Sequence, residues 1–226
     1  MMPEMTIVYE DGQICVVIKP QGIDSERGMC EALKSMLSRD VYAVHRLDKD
    51  AAGLMVYALT QKSAAALCTQ MSCGGFKKEY LAVLLGRMAD QSGTLEDMLY
   101  HDRAKNKSYV VKRPRKGVKS AKLSYITLAE DVVRGRETSL VGVRLYTGRT
   151  HQIRVQFSSR GCPLAGDVRY GGKIPGVSLC LWSHKISFSH PLSGKQMSFV
   201  KLPSWDLPYD NECINRAFAR LNDVQQ

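Results

Sequence analysis

The sequence predicts an α+β domain with a largely antiparallel β-sheet. Two observations indicate this class. Strand-like segments outnumber those with helical spacing, and turn residues such as Asp11-Gly12 and His190–Gly194 join neighbouring strand-like segments. The chain has 226 residues, of which 44% are hydrophobic and 24% charged. Such a chain can bury a substantial core, so we expect one domain or two closely joined halves.

The predicted strands are short. In chain order they cover Thr6–Glu10, Gln13–Lys19, Gly53–Leu59, Lys77–Leu85, Ala121–Ala129, Thr138–Thr147, Ser178–Ser187 and Gln196–Val200. The third is a near-continuous apolar run, which predicts a buried strand, whereas Val141, Val143 and Leu145 alternate with other residues as in a half-buried strand. Pro20 ends the second strand because proline cannot extend a central ladder.

Few helices are expected, and all are short. They cover Met29–Leu37, residues 61 to about 71, and His151–Arg160. Thr60 can cap the second helix, Thr150 or a neighbour can cap the third, and Gly161 ends the third. We find no internal repeat or low-complexity tract that would alter this organisation.

The charge is concentrated in one segment. The chain has 32 Lys and Arg against 22 Asp and Glu, a net charge of +10. Within residues 101–122 there are nine basic residues and one acidic residue, a net charge of +8. Such a concentration predicts a basic hairpin or loop that follows a phosphate backbone, the alternative being a merely solvated loop.

Other features exclude several classes of protein. The seven cysteines are an odd number without a C-x-x-C pair, which indicates reduced thiols in a cytoplasmic protein rather than disulfides or a zinc site. The first residues lack the apolar region of a signal peptide, and the longest aliphatic run, Leu81–Leu85, is too short to span a membrane. We find no glycine-rich phosphate loop, so no nucleotide cofactor is indicated.

Three segments combine charged side chains with backbone breaks. They are His45–Leu54, Lys77–Val83 and Leu145–Arg154. The first is a polar loop that leads into an apolar strand, where a functional loop on a rigid scaffold is expected. Each also has a structural interpretation, namely an Arg46–Asp48 surface ion pair, ordinary packing of Tyr80, or a basic helix face that binds phosphate passively.

Taken together, these segments resemble the pseudouridine synthases of the RluA type over nearly the whole chain. The similar stretches are, in order, TIVYEDGQICVVIKPQGI, HRLDKDAAGLMVYA, KKEYLAVLLGR, LYTGRTHQIRVQFSSRGCPLAGDVRYGG and LWSHKISFSHPLSGKQMSF. HRLD and TGRTHQIR together are specific enough that chance is a poor explanation. The chain departs from the family at Ala51-Ala52, where Thr-Ser is usual, and at Gln156 or Phe157, where a histidine is common.

The resemblance implies a fold and an activity. The expected fold is a mixed, mostly antiparallel sheet in two joined halves, with flanking short helices and a central catalytic cleft. The expected activity is isomerisation of specific uridines in ribosomal or transfer RNA, with no cofactor and no metal. We expect residues 1–226 to form a single catalytic domain without a separate N-terminal RNA-binding domain, and to be a cytoplasmic monomer with no protein partner and no membrane association.

The resemblance also assigns residues. Asp48 is the expected catalytic carboxylate, kept ionised and in position by Arg154, and Tyr80 is expected to pack against the target base. Arg46 is expected to fill the space that the flipped uridine leaves. The full set of expected substrate-binding residues is Arg46, His45, Arg149, Thr150, His151, Lys105, Lys107, Lys112 and Arg113.

Two other functions stay open at this point. The first is a non-catalytic RNA-binding module on the same fold, which would have no use for Asp48. The second is an unrelated hydrolase or nuclease that uses His45, Asp48 and His151, although no segment has convincing metal-ligand spacing. The first chemical step is also open, whether attack on the sugar, formation of a glycal or addition to the base.

Overall fold

The computed structural model describes residues 5–133 and 135–205. The strands are β1 Thr6–Glu10, β2 Ile14–Lys19, β3 Tyr42–Ala43, β4 Ala52–Ala58, β5 Lys77–Leu85, β6 Ser92–Asp102, β7 Lys107–Val111, β8 Val118–Val133, β9 Arg136–Leu145, β10 Leu181–Ser189 and β11 Gln196–Val200. The helices are α1 Gly28–Leu37, α2 Gln61–Ser72 and α3 Gln152–Ser158.

The chain divides into two compact units, with one boundary inside β5 between Glu79 and Tyr80. The first unit contains the chain up to Glu79 together with Trp182–Pro203. Its strands are ordered β1-β2-β4-β10, with β3 paired to β4 and β11 paired to β10. The pair β4 and β10 is parallel, whereas the other pairs of this unit are antiparallel.

The core of the first unit lies where β2, β4, β10 and α2 bury their apolar side chains together. It includes Ile14, Val16, Leu54, Val56, Leu67, Phe76, Ile186 and Phe188. Every residue of β4 is buried, which confirms the predicted buried strand. The hydroxyl of Thr60 accepts a hydrogen bond from the Ser63 amide at 3.1 Å, so the predicted cap of α2 is confirmed.

A glycine is required where β4 meets β10. Gly53 has a φ of +116°, and a Cβ placed on it would lie 2.6 Å from the backbone nitrogen of Ser183 and closer still to its carbonyl oxygen. The Ser183 hydroxyl donates to the carbonyl of Leu54 at 2.8 Å. The close approach therefore fixes the start of β4, immediately after the loop that contains Asp48.

The second unit contains Tyr80–Leu181, with strands ordered β5-β9-β8-β6-β7. The pairs β6–β7, β6–β8 and β8–β9 are antiparallel. Val155 of α3 packs with Leu99 of β6, Ala121 of β8 and Tyr170, and Val110 of β7 contacts the same cluster. This packing holds α3 against the end of the sheet that contains the basic segment.

Most predicted elements are confirmed, but some details differ. The interpretation of Thr138–Thr147 as half-buried is wrong, because β9 buries both faces from Thr138 to Val143. The basic segment is a hairpin, as one of its interpretations predicts, since β6 pairs with β7. The predicted strands do not include β3, β6 or β7, and they cover only part of β8.

Two further predictions concern thiols and membranes. The six cysteines of the described part of the chain are free, as expected, and Cys213 lies outside that part. Within residues 5–133 and 135–205, no helix combines the length and apolar character needed to cross a membrane.

Candidate active site

The loop that contains Asp48 lies in the first unit, between β3 and β4. Its backbone is held on both sides of the carboxylate. The Ser25 hydroxyl donates to the carbonyl of Leu47 at 2.8 Å and accepts from the Leu47 amide at 3.1 Å. The Ala51 amide donates to the carbonyl of Asp48 at 3.0 Å. Tyr57 completes the support by donating from its hydroxyl to the carbonyl of Ser25.

Lys19 holds the other side of the same loop. This lysine is fully buried, and its ammonium donates to the carbonyls of Pro20, Ile23 and Lys49 at 2.7, 3.0 and 3.2 Å. Burial lowers the pKa of Lys19 to about 8, and the negative charges of Asp48 and its neighbours partly oppose this shift. The Gly22 amide donates to the same Lys49 carbonyl. The Asp48 loop is therefore preorganised, which favours a role in precise chemistry.

His45 lies at the start of this loop and supports β4. Its Nε2 accepts a hydrogen bond from the Val56 amide at 3.1 Å, and its ring lies 5.4 Å from that of Phe76. Burial, with a smaller contribution from the charge of Lys78, lowers the pKa of His45 to about 3. The ring is therefore neutral at physiological pH, and the contacts described for His45 are structural. A direct contact with substrate stays a prediction.

Arg46 and the two alanines of the loop have contrasting environments. The side chain of Arg46 is half exposed and lies 3.6 Å from the carboxylate of Glu26, an ion pair that stabilises little at such exposure. Arg46 can therefore be redirected at low cost. Ala51 and Ala52 are buried, so hydroxyls at these positions would need buried hydrogen-bond partners.

Arg154 lies in the second unit and is fixed by a buried ion pair. Its Nε and one terminal nitrogen donate to the two oxygens of Asp167 at 2.7 and 2.8 Å, and both side chains are almost fully buried. The Asp167 carboxylate also accepts from the amides of Arg169 and Tyr170. The guanidinium lies 5.3 Å from the centre of the Tyr170 ring. The interpretation of Arg154 as part of a basic helix face that binds phosphate passively is therefore wrong.

His151 and Thr150 precede α3 and pack inside the second unit. His151 is buried, has a φ of 55°, and lies with its Nδ1 3.0 Å from the hydroxyl of Tyr170. The carbonyl of Thr150 accepts from the Ser108 hydroxyl. His151 thus occupies the N-cap position without a side-chain capping bond, and Thr150 does not cap the helix. Substrate contacts of both residues stay predictions.

Tyr80 and Arg149 also belong to the second unit. Tyr80 is almost fully buried in β5. The Nε of Arg149 donates to the carbonyl of Ser120 at 2.8 Å, which ties this arginine to the part of β8 that belongs to the basic segment. Because Asp48 belongs to the first unit, its predicted meeting with Tyr80 and Arg154 stays a prediction.

The basic segment is a solvent-facing hairpin followed by a turn into β8. Lys105, Lys112 and Arg113 are exposed, and Lys107 is partly buried. One basic residue is neutralised, since Lys122 pairs with Glu96 at 2.6 Å. The exposed cations can therefore face a polyanion along the hairpin.

Two important residues are absent from the predicted set. Both lie in stretches that resemble the family, Lys19 within an apolar strand immediately before a proline and Asp167 as an acid in the loop after α3. In the described part of the chain, no group of three or more His, Cys, Asp or Glu side chains is arranged to hold a metal.

Comparison with known proteins identifies related sequences and folds. The family model described as RNA pseudouridylate synthase matches residues 13–159. The chain is 33% identical over 201 residues to the dual-specificity RNA pseudouridine synthase RluA of Vibrio parahaemolyticus, covering 84% of this chain and 80% of that protein. It is 31% identical over 216 residues to the ribosomal large subunit pseudouridine synthase C of Haemophilus ducreyi, covering 88% of this chain and 66% of that protein.

A solved structure shows the same fold at lower identity. The structure titled human RNA pseudouridylate synthase domain containing 1 superposes with a TM-score of 0.79 at 21% identity, covering 97% of this chain and 98% of the other. At this identity the likeness concerns the fold alone.

Proposed function

This chain belongs to the RNA pseudouridylate synthase family, in its RluA branch, and is an isomerase that acts on RNA; we propose that it converts specific uridines of ribosomal or transfer RNA to pseudouridine with Asp48 as the catalytic carboxylate. The observation that most supports Asp48 is the fixed backbone on either side of it, at Leu47 and Lys49. A carboxylate held in this way keeps the orientation that a reaction at one sugar requires.

The reaction exchanges one bond to the base for another. The nitrogen–carbon glycosidic bond breaks, the uracil rotates within the site, and a carbon–carbon bond to the same sugar forms. The atoms of substrate and product are the same, so Asp48 acts without net consumption. Its first step is attack on the sugar, abstraction of a sugar proton or addition to the base.

Arg154 and Tyr80 complete the proposed catalytic group. Arg154 is expected to pair with Asp48 and keep it ionised, and the bidentate pair with Asp167 supports this role because it fixes the plane of the guanidinium. Tyr80 is expected to stack on the target base, which stabilises a bound base by about 1–3 kcal/mol.

RNA binding is proposed to use the basic hairpin and the residues near the site. Lys105, Lys107, Lys112 and Arg113 are expected to contact phosphates, and Arg149, Thr150 and His151 to line the approach to the target. Arg46 is expected to replace the flipped uridine in the RNA helix, at a cost of base extrusion of a few kcal/mol. Its weak ion pair with Glu26 supports this movement.

The choice of RNA is suggested by the related proteins. One is named as acting on the large ribosomal subunit and another as having dual specificity. The first of these names supports ribosomal RNA, and transfer RNA stays within the proposal as an expectation from the sequence. A monomeric state and a cytoplasmic location are expected and complete it.

The substitution Asp48→Asn tests the catalytic assignment. We expect it to abolish pseudouridine formation in purified cellular RNA while leaving RNA affinity nearly unchanged, because it removes the charge with little change in volume. Asp50→Asn is the matched control, since Asp50 is an exposed acid two residues further along the same loop. Full activity of Asp48→Asn would contradict the assignment. RNA binding without isomerisation by the unaltered protein would favour a non-catalytic RNA-binding module.

A further inference from the structure

A cavity of about 450 Å³ lies in the second unit between β7, α3 and the loop that follows Asp167. Its volume is in the range of pockets that hold small ligands, which starts near 300 Å³. The residues that matter for its chemistry are Lys107, Tyr109, Val155, Ser158, Arg169 and Tyr170. None of the catalytic residues proposed above lines it.

Two tyrosine rings give the cavity an aromatic character. The residue Tyr109 is 36% exposed, so its ring is accessible to a ligand. Tyr170 is buried, and its hydroxyl accepts from the Ser108 amide at 2.7 Å and lies 3.0 Å from Nδ1 of His151. The second ring is therefore held rigidly, which lowers the entropic cost of binding against it. An exposed ring beside a rigid one is suited to a flat, aromatic ligand.

Cations give the cavity its charge. The ammonium of Lys107 lies 5.8 Å from the centre of the Tyr109 ring and 5.3 Å from that of Tyr170. Arg169 is exposed and donates to the carbonyl of Lys105 at 3.1 Å, which directs it along the basic hairpin. The described residues that line the cavity include two cations and no carboxylate. The ligand is therefore expected to be an anion.

We propose that this cavity, the Tyr109 pocket, binds one nucleotide of the RNA other than the target uridine. The base stacks on Tyr109, and a neighbouring phosphate contacts Lys107 and Arg169. The proposal rests on the proposed function in that the ligand is RNA, and it concerns recognition rather than the reaction. An acidic protein segment would satisfy the two cations but would leave the aromatic surface unused, so RNA is favoured.

Binding of a labelled single-stranded oligoadenylate to the full chain tests the proposal. Because stacking on an aromatic ring tolerates any base, Tyr109→Ala is expected to weaken binding by roughly 5- to 150-fold. Tyr109→Phe retains the ring and is expected to bind within about twofold of the unaltered protein. The matched control is Tyr146→Ala, because Tyr146 is 56% exposed, has Lys122 5.9 Å from its ring centre, and does not line the cavity.

Three outcomes would overturn the proposal that the Tyr109 pocket binds RNA. These are unchanged affinity of Tyr109→Ala, equal weakening by Tyr146→Ala, and competition by polyglutamate as effective as that by RNA, which would indicate charge without base recognition. Photocrosslinking of 4-thiouridine RNA provides a second measurement on the unaltered protein, with crosslinks expected in the peptide that contains Tyr109. Their absence would contradict the proposal.

A negative result for the Tyr109 pocket can be distinguished from a negative result for the proposed function. If the pocket does not bind RNA, the sensitivity of pseudouridine formation to Asp48→Asn is unaffected. If no pseudouridine forms with any RNA, the effect of Tyr109→Ala on oligoadenylate binding is still measured and still tests the pocket.

Discussion

The buried pair of Arg154 and Asp167 allows a quantitative prediction. Their side chains are 3% and 0% exposed, and two hydrogen bonds of 2.7 and 2.8 Å join them. Asp167→Asn keeps the size of the side chain but removes the negative charge that both hydrogen bonds from the buried guanidinium reach. Breaking a buried pair on one side costs about 3–5 kcal/mol. We expect the free energy of unfolding to fall by at least about 3 kcal/mol.

The matched control is Asp40→Asn at the surface. Asp40 pairs with Lys34 at 2.8 Å, a distance like that in the buried pair, but both side chains are 64% exposed. Exposed pairs contribute about 0–1 kcal/mol, so this substitution is expected to cost less than about 1 kcal/mol. The comparison separates burial from distance as the source of the effect.

Urea unfolding at neutral pH measures both variants, and hydrogen exchange over residues 80–181 locates the loss in the second unit. For a chain of this length, a loss of 3 kcal/mol corresponds to a thermal unfolding midpoint lower by about 6–12 °C. We also expect Asp167→Asn to reduce pseudouridine formation, because Arg154 loses its fixed orientation. If Asp167→Asn cost no more than Asp40→Asn, the reasoning from burial would be refuted.

Three further predictions concern the loop and the hairpin. Gly53→Ala is expected to destabilise the protein severely in thermal denaturation because its Cβ would overlap the backbone of β10, whereas Gly12→Ala, with open space around it, should have little effect. Lys19 has a folded pKa of about 8 against an ordinary 10.5, so between these pH values the unfolded chain binds the extra proton. Its contribution to stability should therefore rise by about 3 kcal/mol as pH increases through this window, and urea titrations of Lys19→Met should lack the rise. Lys112→Ala is expected to lower the salt dependence of RNA binding by roughly one unit of slope, and an unchanged slope would indicate a solvated loop.

The sequence predicts elements well where side chains and backbone follow one simple pattern. The apolar run from Gly53 to Leu59 becomes β4 because every side chain there is buried. It fails for β6, where the buried Leu95 and Leu99 lie on one face of the strand but the polar Asp97 between them interrupts the apolar alternation. That strand forms because β7 and β8 pair with its two edges, and pairing between distant segments leaves little trace in local composition.

The candidate site shows the same limit. The position of the Asp48 loop follows from polar residues that lead directly into an apolar strand. The contacts that hold this loop cannot be predicted from the sequence, because the ammonium of Lys19 donates to the carbonyl of Lys49, 30 positions away in the chain. Similarly, Arg154 is recognisable in a motif, whereas its partner Asp167 lies in a loop with no periodicity. Contacts between positions far apart in sequence leave no local residue pattern to detect.

Pseudouridine mapping in cells with and without the gene tests the central claim most directly. We expect defined uridines of ribosomal or transfer RNA to lose the modification when the gene is deleted. The unaltered gene should restore it, and a gene encoding Asp48→Asn should not. Unchanged pseudouridine at every site after deletion, or full restoration by Asp48→Asn, would contradict the account.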